Sequence, residues 1–126
     1  MAILDELQTK LIADNVAGGA TGWGVGKAYM PDSSTQDDNQ FVALYERGGE
    51  YPRKEHERLR IQVLIRGNPY EYDVARAKAV SVITSLDDAT ITGVVFIYLS
   101  SSIELFSYDT NNRPFVSINF DVFTQR

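Results

Sequence analysis

The sequence predicts an α+β domain: a mainly antiparallel sheet of about five strands with two helices packed on one face. Three observations point there. Residues 59–66 alternate, with Leu59, Ile61, Val63 and Ile65 on one side and Arg60, Gln62, Leu64 and Arg66 on the other, the period of a half-buried strand. Directly after Gly67, Tyr72, Ala75, Ala79, Val82, Ile83 and Leu86 recur at three- and four-residue spacing, the stripe of an amphipathic helix. Only one other stretch is helical in period, whereas several short β-branched and aromatic runs are separated by turn residues.

In chain order, residues 2–15 form the first expected helix, with Ile3, Leu4, Leu7, Leu11 and Ile12 on one stripe. Residues 17–22 are small and glycine-rich and break it, and a strand over residues 23–30 follows. Residues 31–40 are polar and form an exposed connection, and residues 41–47 are the next strand, with Phe41, Ala43 and Tyr45 opposite Val42, Leu44 and Glu46. Asn68, Pro69 and Glu71 have the order of a capping box, placing the second helix over residues 68–86, with Ser85 among the residues facing water. Asp87 and Asp88 end it. Residues 90–101 read as a strand with Val94, Phe96 and Tyr98 on one face, residues 107–113 as a tight turn, and residues 115–123 as the closing strand with Val116, Ile118, Phe120 and Val122 inward. Alanines at 75 and 79 let the helix lie close on the sheet. A length of 126 residues suits one domain over 1–126.

Composition excludes several functions. With no cysteine there is no disulfide framework, thiolate metal site or cysteine nucleophile. A net charge of -5 argues against a surface that grips nucleic-acid phosphate. No apolar run reaches the length of a membrane span and no signal-peptide pattern opens the chain, so a soluble protein made in the cytoplasm is expected.

The chemical motifs are weaker than they look. Around Gly22, Gly24, Gly26 and Lys27 a phosphate loop would need glycine where Thr21 stands and a hydroxyl where Ala28 stands, so this stretch reads as a flexible connection. His56 is the single histidine and lies among charges, with no second histidine and no cysteine to complete a zinc site or a nucleophilic triad, so it reads as a solvated side chain. Asp32, Asp37 and Asp38 fail the calcium-loop register, since Asp37 falls where glycine is required and Ala43 where the bidentate glutamate belongs; Arg113 spoils the register from Asp109. These acids read as turn chemistry and solvated surface. No catalytic, metal or cofactor-binding residue is assigned, and no spacing selects a pair of carboxylates. The remaining candidate is the long loop over residues 48–57, with Gly48, Gly49, Tyr51, Arg53, Lys54, Glu55, His56 and Glu57. Its mixed charge suits either a solvated loop or a subunit and partner contact. The lack of catalytic machinery favours binding or assembly.

Particular residues carry a family resemblance. They are Val42-Ala43-Leu44-Tyr45-Glu46 with Gly48-Gly49, Arg60-Ile61-Gln62-Val63, Ile65-Arg66-Gly67, Ala75 to Ala79 of the helix, and Asp109 with Asn112-Arg113. Phe115, Ser117-Ile118-Asn119-Phe120, Val122 and the earlier Met30-Pro31-Asp32 extend it over nearly the whole chain. In these the chain resembles the tailed-bacteriophage minor capsid and tail terminator proteins, with Asn111-Asn112 where that family often has an Asn-Gly turn. The resemblance implies a structural, non-enzymatic virion protein at the head-tail junction. It also implies a hexameric ring that caps the tail tube protein, stops tube polymerisation and offers a joining surface to the head-tail connector or stopper protein, while DNA passes the lumen without specific binding. A stopper or other head-tail completion protein is the alternative within this class, and a small ligand-binding domain the alternative outside it.

Overall fold

The structure is a computed structural model, which describes residues 3–18, 21–28, 30, 40–49 and 56–125. Its elements run α1 (Ile3–Ala13), β1 (Gly24–Lys27), β2 (Phe41–Gly49), β3 (His56–Arg66), α2 (Tyr72–Leu86), β4 (Val94–Leu99), β5 (Glu104–Tyr108) and β6 (Pro114–Gln125). Among the described residues the sheet has six strands in the order β1-β2-β3-β6-β4, with β5 also paired to β6. Every pairing is antiparallel except that of β1 with β2.

The long strands β3 and β6 form the spine of the sheet, paired in unbroken register from His56↔Gln125 to Arg66↔Phe115. Their inward residues sit directly across from one another: Ile61 opposite Phe120, Val63 opposite Ile118 and Ile65 opposite Val116. With Val42 and Leu44 of β2 and Ile97 of β4 they make one apolar face. Ile3, Leu7 and Leu11 of α1 and Ala75, Ala79, Val82 and Leu86 of α2 close over that face in a single core cluster. The sheet face and helical stripe expected from the sequence therefore meet, and the two-layer α+β architecture stands.

Several local expectations differ. The capping box does not form: α2 starts at Tyr72, Glu71 occupies the cap with no side-chain bond, and Asn68 to Glu71 close a β-turn in which the Glu71 N–H donates to the Asn68 carbonyl at 3.1 Å. Pro69 is the reason, because proline serves the second position of a turn as readily as the first turn of a helix. Tyr70 at the third position takes φ 65. Ser85 is buried, donating to Asp14 Oδ2 at 2.6 Å where the two helices meet. Nearby, Lys78 Nζ donates to the Val16 carbonyl at 2.7 Å and lies over the Trp23 ring, and partial burial lowers its pKa.

Helix α1 ends two residues earlier than expected, and Ile12 turns outward. Asn15 takes φ 56, the Asn15 N–H donates to the Ile12 carbonyl and the Val16 N–H to the Leu11 carbonyl, a Schellman closure with Leu11 and Val16 buried beside it. Lys27 of β1 pairs with Asp5 across the face of this helix.

The strand expected over residues 90–101 is shorter and bulged. The pairing shifts between Val94 and Phe96, which leaves Val95 outside the ladder and returns Val94 to the core side, away from Phe96 and Tyr98. β5 had no counterpart in the sequence reading. It follows β4 on the same edge of β6, and Ser101 stitches the gap: its hydroxyl accepts from the Asn119 N–H at 2.9 Å, and the Ser100 N–H donates to the Asn119 carbonyl.

Candidate functional site

The candidate loop over residues 48–57 is strand at both of its described ends. Gly48 and Gly49 belong to β2, His56 and Glu57 to β3, and Tyr51, Arg53, Lys54 and Glu55 lie outside the described residues, as do Asp32, Asp37 and Asp38. The ladder runs on past the expected ends because β6 is long enough to pair His56 with Gln125 and Glu57 with Thr124. Four of the eight candidate residues are thus placed, at the open end of the β2–β3 hairpin.

A bulge shapes that end. Glu46 pairs with Ile61 and Gly49 with Leu59, so Arg47 and Gly48 together oppose Arg60 alone. Gly48 takes φ 85, a conformation natural to glycine, and the bulge adds twist where the hairpin leaves the sheet. β1 pairs only with Phe41 to Leu44, so among the described residues no strand covers the outer edge of β2 from Tyr45 to Gly49. The far side of the sheet offers a second free edge, formed by β4 and β5.

The face away from the helices carries residues that sequence reasoning left unassigned. Arg47 Nε donates to Gln62 Oε1 at 2.7 Å with its guanidinium 4.8 Å from the Tyr45 ring, and Gln62 donates onward to Ser117. Arg58 forms an ion pair with the buried Asp121 at 2.6 Å. Arg47, Arg58 and Arg60 thus rim a polar concavity of about 400 Å³ whose floor is Ser101, Asn119 and Asp121. Alternation in β3 gave the outward direction of Arg60 but did not reach Arg58, and what the chain pattern lacked was the β6 register that sets Asp121 beside them.

An aromatic ladder adjoins it. Phe96 and Phe123 are cross-strand partners with ring centroids 4.5 Å apart, Tyr98 lies 6.0 Å from Phe123, and the Arg58 guanidinium is 5.9 Å from the Phe123 ring. Phe96, Tyr98 and the neighbouring Val95 are exposed. Arginine and large aromatics together are the side chains that interfaces between proteins favour.

Among the described residues no group of three or more histidine, aspartate or glutamate side chains is placed to hold a metal, and no helix is long and apolar enough to cross a membrane. What the surface offers is edges, arginines and aromatics, the means of protein contact.

Among curated proteins none matches the chain. Among solved structures, a chain of the virion of a native gene transfer agent particle is similar at 15% identity with a TM-score of 0.76, covering 99% of this chain and 96% of that one, which fixes the shared fold. The family model described as bacteriophage tail terminator protein matches residues 14–125. On that match, spanning both sheet edges and α2, the chain belongs to the bacteriophage tail terminator family and is a structural protein of the virion's tail.

Proposed function

We propose that six copies of this chain form a ring on the last ring of the tail tube, stop tube polymerisation and offer the head's connector or stopper a joining surface. The carrying observation is that, among the described residues, the sheet ends in two unlike free edges, β2 from Tyr45 to Gly49 on one side and β4 with β5 on the other. A closed ring is built from a heterologous contact, in which one patch meets a different patch of the neighbour and the rotation closes. Unlike edges on opposite sides of one sheet suit that requirement, because exposed ladders are ready pairing surfaces. The gene transfer agent relative is a virion component, which accords with assembly into a particle. In this reading the hairpin end with Gly48, Gly49, His56 and Glu57 belongs to one patch, and the connection that includes Tyr51, Arg53, Lys54 and Glu55 extends it. The role is mechanical rather than catalytic, and genome passes through the lumen.

The test uses tails assembled without this protein. Added chain should halt tube growth at a fixed length; tubes that lengthen at the same rate with and without it would overturn the reading.

A further inference from the structure

We infer that the arginine-rimmed concavity on the open sheet face receives the Tyr70 turn of a second copy of this chain, whose Glu71 and Asp73 carboxylates pair with Arg47 and Arg60. The inference rests on the ring reading and adds a charged joint to the contact between sheet edges.

Charge supplies the first argument. Arg58 is neutralised by Asp121, whereas neither Arg47 nor Arg60 makes an ion pair among the described residues. Among the described residues two guanidinium charges therefore stand without an ionic partner in a concavity of about 400 Å³, on a chain whose net charge is -5. Arg47 is already steadied by Gln62 and Tyr45, so it is preorganised for a carboxylate.

The complementary feature is at the other end of the same strand. Tyr70 is 78% exposed, the most exposed of the large apolar and aromatic side chains among the described residues, and stands at φ 65 in a turn pinned by its own N–H to the Asn112 carbonyl at 3.0 Å. An aromatic held outward on an unfavourable backbone is the kind of outlier that marks a contact residue. Glu71 and Asp73 flank it, both exposed, and neither makes an ion pair among the described residues; Glu71 has only a long contact from the Asn68 amide, at 3.4 Å. Arg76, one turn further along α2, is the nearest cation on that element.

Position supplies the third argument. From Arg60 to Arg66, where the chain leaves β3 for the turn, the strand covers roughly 20 Å at the usual rise per residue. The turn of one copy thus cannot reach its own concavity, and the two features differ, so the contact runs head to tail and propagates around a ring. The ladder of Phe96, Tyr98 and Phe123 beside the concavity gives the Tyr70 ring an apolar neighbour.

The experiment is sedimentation of the full chain over a range of concentrations, with four proteins: wild type, R47E/R60E, E71R/D73K, and all four changes together. Each reversed pair alone should weaken self-association by roughly tenfold or more, as charge pairs in protein interfaces do, and the combination should recover most of it. Rising salt should weaken the wild type as well. The milder R60A guards against misfolding and should weaken association less than R47E/R60E while keeping the wild-type melting temperature. Unchanged association in R47E/R60E, or no recovery in the combined protein, overturns the proposed joint while tube stopping by another contact survives. A wild type that stays monomeric at every concentration also overturns it, and the tube-growth assay then judges the terminator reading separately. Loss of tube stopping in a wild type that still forms charge-dependent rings would overturn the terminator reading and leave the joint standing.

Discussion

At the scale of single residues, two glycines show how differently one residue type can be required. Gly48 takes φ 85, and a Cβ there would meet nothing within 4 Å, so conformation alone selects glycine. Gly24 has no such backbone, but a Cβ would fall 2.4 Å from the Phe41 ring, so space selects it. Gly48→Ala should therefore cost about 1–2 kcal/mol through backbone strain, with Gly48→Asn milder because asparagine tolerates the left-handed region. Urea unfolding of the three proteins checks the order. Asp109 is a residue of a different kind. Desolvation raises its pKa, but bonds from the Arg113 and Asn111 N–H groups and the Arg113 guanidinium outweigh that and leave it below the ordinary 3.8. A carboxylate depressed on folding stabilises the fold fully above its unfolded value, and that contribution is lost as pH falls through the depressed folded value. Asp109→Asn should lower the melting temperature at neutral pH and shrink the difference from wild type below about pH 3.8, as scanning calorimetry across pH would register.

At the scale of elements, the closeness of α2 to the sheet is the feature most exposed to test. Ala75 and Ala79 are fully buried, and the Ala75 side chain lies so near Gly67 that a Cβ on Gly67 would stand 3.0 Å from it. Ala79→Leu should push helix and sheet apart and cost about 1–3 kcal/mol, whereas Ala77→Leu on the exposed side should stay within roughly 0.5 kcal/mol. Equal denaturation midpoints for the two would contradict the packing. The sequence made this layer legible because alternation in β3 and the helical stripe of α2 are periodic signals that burial imposes directly. What escaped it has no period. Asn68-Pro69 suits a helix start and a turn equally, and only the Asn112 carbonyl waiting for the Tyr70 N–H decides between them. Val95 slips out of the β4 ladder, so parity assigned Val94 to the wrong face. β5 is five residues long and holds its place by pairing with β6, a partner distant in sequence. The same holds for the candidate site: the direction of Arg60 was readable along β3, while that of Arg58, outside the alternating residues, and the meeting of both with Asp121 depend on register between strands.

At the scale of the whole molecule, charge is unevenly spread, and that distribution argues for a division of surfaces. Arg47, Arg58 and Arg60 gather on the open sheet face around one concavity, yet the whole chain carries 17 acidic residues against 12 basic ones. In a ring threaded by genome, a negative lumen would repel the phosphate backbone and let it slide without adhering. Among the described residues, two pairs of acids without an ion pair serve to test this: Glu6 of α1 with Asp88 in the turn after α2, and Glu46 of β2 with Glu104 of β5. Phage carrying lysine at the first pair, or at the second, should separate the two, because whichever pair faces the lumen would slow genome ejection when reversed. Like-charge repulsion exchanged for attraction also predicts that added salt brings the slow variant back toward the wild-type rate, since screening acts on exposed charge. Ejection kinetics unchanged in both variants would mean that the acidic excess has no part in genome passage.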